Sequence, residues 1–162
     1  MGIDPGLTAT GWGIVRKTGR KISYIDSGKI PSHASQRMGD RLNRIFEQLR
    51  RIAEEYHVEF CAVESGYVGK SAQSALKLGQ ARAAAVLAVE QCGIPVSDIS
   101  PREVKMAITG RGSAAKEQVG YMVEHMLRIK FDKGEEDISD ALAIALCAAL
   151  NRMRDERMAA AS

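Results

Sequence analysis

The sequence predicts an α/β domain with a mixed five-stranded sheet and helices on both faces. Three observations carry that expectation. The N-terminal quarter consists of short apolar runs broken by glycine. Residues 37–56 instead carry an apolar stripe at helical spacing. Beyond residue 58, brief apolar runs alternate with longer stretches rich in alanine and leucine.

The elements follow in order. Gly2-Ile3-Asp4 ends at Pro5-Gly6, so a short strand breaks there into a turn. Gly11–Val15 and Lys21–Ile25 read as strands joined by the turn Lys17-Thr18-Gly19-Arg20, and Ser27–Ile30 extends the sheet. Met38, Leu42, Ile45, Leu49 and Ile52 recur at intervals of three and four, which makes one helix face. Val58–Glu64 is a buried strand, Ser71–Cys92 a long helix closed by Gly93, and Pro95–Ile99 a further strand. Helices are expected at 101–108, 114–129 and 137–155. Only three residues precede Asp4, whereas strands usually run to about five. Either the first strand is unusually short or the natural chain starts upstream, and an upstream start is the expectation.

The bulk properties set bounds. A chain of 162 residues is expected to form one domain over 1–155, with 156–162 as a frayed tail. Net charge is +3, which permits a nucleic-acid partner without demanding one. Cys61, Cys92 and Cys147 are scattered, odd in number and set among apolar residues, so neither a zinc site nor a disulfide framework is indicated. With no leader and no apolar stretch near 20 residues, a soluble cytoplasmic protein without membrane contact is expected. His33, His57 and His125 have no metal-ligand spacing.

Four acids stand where a carboxylate is hard to explain as ordinary surface. Asp4 closes the first strand and Glu64 closes the apolar run Phe60–Val63. Asp137 and Asp140 are three apart at the start of the last helix and share one face. Taken singly, Asp4 suits a turn and Asp137 suits a helix cap. Taken together in a half-buried site, such anions repel, and a divalent cation is the usual compensation.

Basic residues accompany them. Arg37, Arg41 and Arg44 read as one solvated face of the first helix. Lys70, Lys77 and Arg82 flank the second, and Arg102, Lys105, Arg111 and Lys116 concentrate in one region. Gly110-Arg111-Gly112-Ser113 leads into a helix whose first turn carries Lys116, a favourable place for phosphate. No Walker A loop is present. Aromatics are few, which argues against a base-stacking platform, and Tyr67 is a lone candidate wedge beside Glu64.

In combination these segments resemble a known family. Gly2-Ile3-Asp4-Pro5-Gly6, Thr10-Gly11-Trp12-Gly13, Ala62-Val63-Glu64, the string SALKLGQAR from Ser74, Arg102-Glu103-Val104-Lys105, Gly112–Lys116 and D-x-x-D-A-L-A-I-A from Asp137 follow the order and spacing of the RuvC family of Holliday junction resolvases. The resemblance implies an RNase H-like fold, a homodimer, and magnesium-dependent nicking of two strands of a four-way DNA junction. It implies two ions per active site, with Mn²⁺ able to substitute, held by Asp4, Glu64, Asp137 and Asp140. Lys105 and Lys116 match the family's lysines near the scissile phosphate. Tyr67 falls where the family usually has an aromatic, often Phe. The remaining basic residues, Lys70, Lys77, Arg82, Arg102 and Arg111, would hold the duplex arms through phosphates. The branch-migration proteins RuvA and RuvB are the implied partners. An actin-like ATPase or kinase domain shares the Asp-x-Gly opening, but the chain is short for its two lobes. A non-catalytic junction binder would have no use for Asp137 and Asp140 together.

Overall fold

A computed structural model describes residues 1–65 and 71–160 of the chain. β1 (Gly2–Asp4) lies at the centre of a five-stranded sheet of order β3-β2-β1-β4-β5. β2 (Ala9–Thr18) and β3 (Lys21–Pro31) form one long antiparallel hairpin, and β2 pairs antiparallel with β1. β4 (Cys61–Glu64) and β5 (Val96–Ile99) add in parallel on the other side. The sheet is therefore mixed, as expected.

The hairpin differs from the expectation in detail. Pairing runs through Lys17 and Thr18, so the turn shrinks to Gly19-Arg20, with Gly19 in the left-handed region at φ 57°. The two short strands expected after that turn are one strand, and a bulge at Ile14/Val15 absorbs the register shift. β1 spans three residues. Met1 carries its edge on, with the ammonium group donating to the Phe60 carbonyl at 2.7 Å and the Ala62 amide donating to the Met1 carbonyl at 2.9 Å.

Helices cover both faces. α1 (Met38–Glu55) and α2 (Ala72–Glu90) pack on one, where Ile45, Leu49, Ala81, Ala85 and Val89 share a core with Ile3, Cys61 and Val63. α3 (Pro101–Thr109), α4 (Lys116–Leu127) and α5 (Glu136–Ala160) cover the other, around Ala62, Val104, Val123, Leu142 and Leu146. Pro at the start of α3, with the Ser100/Glu103 capping box, fixes where that helix begins.

α5 seats directly on the sheet because glycines line the seam. A Cβ on Gly2 would strike the main chain of Ala141 and Ala145, and one on Gly13 would strike Leu142. α5 also runs to Ala160, past the expected domain end at 155, and Glu156 accepts from Lys17 Nζ at 2.7 Å. Among the described residues, no helix is long and apolar enough to cross a membrane.

Candidate active site

Strand alternation decides where the acids point. Gly2 lies against α5 and Ala62 belongs to the α5-side core, so Asp4 and Glu64, each two residues on, present to the same face. α5 begins over that edge. Asp137 and Asp140 occupy its first two turns, one residue either side of the buried Ile138 and the partly exposed Ser139. Asp137 is not the helix cap that the sequence suggested, because α5 starts a residue earlier at Glu136. The Glu135 carboxylate instead accepts the Asp132 amide at 2.9 Å, closing the approach loop.

The turn after Asp4 is held from within. Thr10, fully buried, donates its hydroxyl to the Gly6 carbonyl at 2.8 Å. Arg41 donates from Nη2 to the Leu7 carbonyl at 2.8 Å and from Nε to Ser32 Oγ at 3.0 Å. Arg41 is buried, not part of a solvated face with Arg37 and Arg44. Its position three after Met38 and four before Ile45 puts it on the apolar stripe, which is the signal that identifies it.

Electrostatics show that the four acids share a site. Burial, reinforced by the charges of Glu64, Asp140 and Asp137, pushes the Asp4 carboxyl up to about 7. Burial also raises Glu64, with Asp140 adding to the effect. Asp140 is raised by burial against the opposing pull of Lys116, whose Nζ stands 2.5 Å from its Oδ2. Lys116 loses ground to burial but is raised overall by its bond to Asp140 and the charges of Asp4 and Asp137.

The donor chemistry suits a hard cation, since all four side chains offer carboxylate oxygens. Among the described residues, however, no three His, Cys, Asp or Glu side chains are gathered closely enough to share one ion. Asp140 is engaged by Lys116 instead.

Residues 1–148 match the family described as crossover junction endodeoxyribonuclease RuvC. The chain belongs to the RuvC family. A RuvC of Geobacter sulfurreducens is 44% identical over 147 residues, covering 91% of this chain and 89% of that protein. One from Parvibaculum lavamentivorans is 42% identical over 161 residues, covering 99% and 91%. Thermus thermophilus RuvC, in a structure with a Holliday junction substrate, superimposes with a TM-score of 0.89 at 32% identity, over 95% of this chain and 94% of that one. The yeast mitochondrial Holliday junction resolvase Ydc2, at 13% identity and a TM-score of 0.64, shares the fold. The RNase H-like architecture of RuvC is the one observed here.

The basic residues of this RuvC relative divide on inspection. Lys116 joins the acids. Arg102 lies along Gly112 in the loop leading to Lys116, and Arg111 is exposed in the same loop, where its amide is held by Thr109 Oγ1 at 3.2 Å. Lys105 is partly exposed on α3. Arg82 makes contacts within the chain: its guanidinium pairs with Asp98 and donates from Nε to the Glu64 carbonyl at 3.2 Å. Lys77 is exposed on the opposite face, on α2. Tyr67 and Lys70 lie outside the described residues. Sequence reasoning missed Thr10 and the structural role of Arg41, although the stripe contained the latter.

Proposed function

We propose that this protein resolves four-way (Holliday) DNA junctions by paired, divalent-cation-dependent nicks in recombination and repair, acting in the cytoplasm. The observation that carries the reading is the meeting of Asp4 and Glu64 on two adjacent strand ends with Asp137, Asp140 and Lys116 from α5 and α4. The resemblance to RuvC proteins over nearly the whole chain supports it.

In this reading Asp4, Glu64, Asp137 and Asp140 hold two Mg²⁺ ions, for which Mn²⁺ can substitute. When bound, such ions supply a nucleophile at neutral pH and neutralise the leaving oxygen. The chain's own residues then position and screen. Asp4 and Glu64 stand on the sheet as a fixed floor, while Asp137 and Asp140 close the site from α5. Lys116 adds positive charge where the scissile phosphate gains negative charge. Arg102, Lys105 and Arg111 border the same loop and hold phosphates of the incoming strand.

Paired nicks require two sites, and a homodimer supplies them about a two-fold axis. The alanine side of α2 is spent inside the subunit, since Ala81, Ala85 and Ala88 are buried. Its outer side presents Leu76 at 64% and Leu87 at 55% exposure, eleven residues apart and therefore on one stripe. That stripe is the proposed dimer contact. RuvA and RuvB are the proposed branch-migration partners.

Cleavage of a synthetic four-way junction by the parent and Asp140→Asn, side by side in Mg²⁺, tests the reading. The parent is expected to cut, and Asp140→Asn to bind without cutting. Full cleavage by the variant, or none by the parent in either Mg²⁺ or Mn²⁺, defeats it.

A further inference from the structure

We infer that Lys116 is the resident counter-ion of the carboxylate site, and that it must leave Asp140 before a divalent cation can use that carboxylate. The inference rests on the nuclease reading above and adds a second task for one of its residues.

The geometry sets up a competition. Lys116 Nζ stands 2.5 Å from Asp140 Oδ2, a distance at which the ammonium group takes the carboxylate oxygen that a metal would need. Its charge acts on Asp4 and Glu64 as well as on Asp140, so it compensates the site as a whole rather than one partner.

The lysine is built to move while its anchor is not. Lys116 is the first residue of α4, and its side chain is 59% exposed against 31% for Asp140. One turn on, Gly120 brings α4 close to α5, since a Cβ there would lie 3.3 Å from Ser139 Oγ. Ser139 is the neighbour of Asp140, so the backbones carrying Lys116 and Asp140 are held together. The four-carbon stem of Lys116 supplies the freedom. On the nuclease reading, a lysine released from Asp140 is free to meet the phosphate of the incoming strand. The same cation would thus stabilise the acids before metal entry and the phosphate afterwards.

The test reads metal binding without DNA. Mn²⁺ titration followed by electron paramagnetic resonance compares the parent with Lys116→Met, which keeps the length of the side chain and removes its charge, and with Lys116→Arg. Removing a positive charge next to the site is expected to tighten Mn²⁺ binding roughly tenfold in Lys116→Met. Lys116→Arg is expected to bind like the parent or more weakly. In EDTA, Lys116→Met should also melt below the parent and gain more from added Mn²⁺, which separates lost charge compensation from misfolding. Equal, weaker or undetectable Mn²⁺ binding by Lys116→Met overturns the inference. Junction cleavage by the parent decides the functional reading separately.

Discussion

Gly11 faces the main chain of Asp137, and a side-chain carbon on Gly11 would fall well inside contact distance of the Asp137 carbonyl. Gly11 is also the strand partner of Asp4. One residue therefore sets the spacing between an acid on the sheet and an acid on the helix. Gly11→Ala has no side chain to push aside, only backbone, and should cost about 1–3 kcal/mol or more. Urea denaturation should show that loss, and junction cleavage should fall further than stability alone explains. Gly39→Ala, which adds its methyl group to open space in the first turn of α1, should be neutral or slightly stabilising.

The acid on the sheet makes a prediction about pH. Asp4 has an ordinary value of 3.8 and is pushed up to about 7 by burial and its acidic neighbours. Between those values the folded chain keeps a proton that the unfolded chain has released, so stability falls as pH rises through that window. Asp4→Asn removes the effect. In EDTA at pH 8 it should be more stable than the parent by roughly 2–4 kcal/mol, with the margin closing as pH falls towards 4. A margin that does not depend on pH would contradict the assignment. The same variant should bind metal poorly and cut little.

Arg41 connects stability to the site through the Leu7 carbonyl and Ser32. Arg41→Ala removes both of these bonds, leaving the Leu7 carbonyl with only its bond from Ser32 Oγ, and should cost about 2–4 kcal/mol in chemical denaturation. Arg41→Lys should recover only part, because a single ammonium group cannot span both acceptors as the guanidinium fork does. Cleavage should fall with both, since the bonded loop begins at Asp4.

Salt dependence separates the arginines and lysines. Each lost phosphate contact should reduce the slope of log affinity against log salt by about 0.9. Lys105→Ala and Arg111→Ala should each show such a reduction in junction binding. Arg82→Ala should leave the slope unchanged while lowering the cleavage rate, because its guanidinium holds the Glu64 carbonyl and Asp98. A reduced slope for Arg82→Ala would return it to the DNA surface.

Much of this was legible in the sequence, for identifiable reasons. Strand ends were visible because apolar runs stopped abruptly at Asp4 and Glu64, and α1 because its stripe held period over five positions. The three-residue spacing of Asp137 and Asp140 placed them on one face whatever the helix packed against. What escaped depended on partners far away in the chain. The glycines of β1 and β2 look like turn or flexibility signals until α5 is laid over them. Nothing local shows that Asp98 and the Glu64 carbonyl lie beside Arg82. Helix α5 runs past its expected end to Ala160, and Lys17, far away on β2, pairs with Glu156 on that extension.

The seam between α5 and the sheet also bears on how this chain can drift in sequence. At Gly2 and Gly11 the opposing atoms are backbone, so no substitution elsewhere makes room, and these positions are expected to stay glycine. At Gly13 the nearest atoms belong to the Leu142 side chain, which a smaller residue could withdraw. Variation along this seam should therefore appear as a correlated pair, a larger residue at 13 with a smaller one at 142. Alanine at 13 should be viable only in backgrounds that have already given up the leucine.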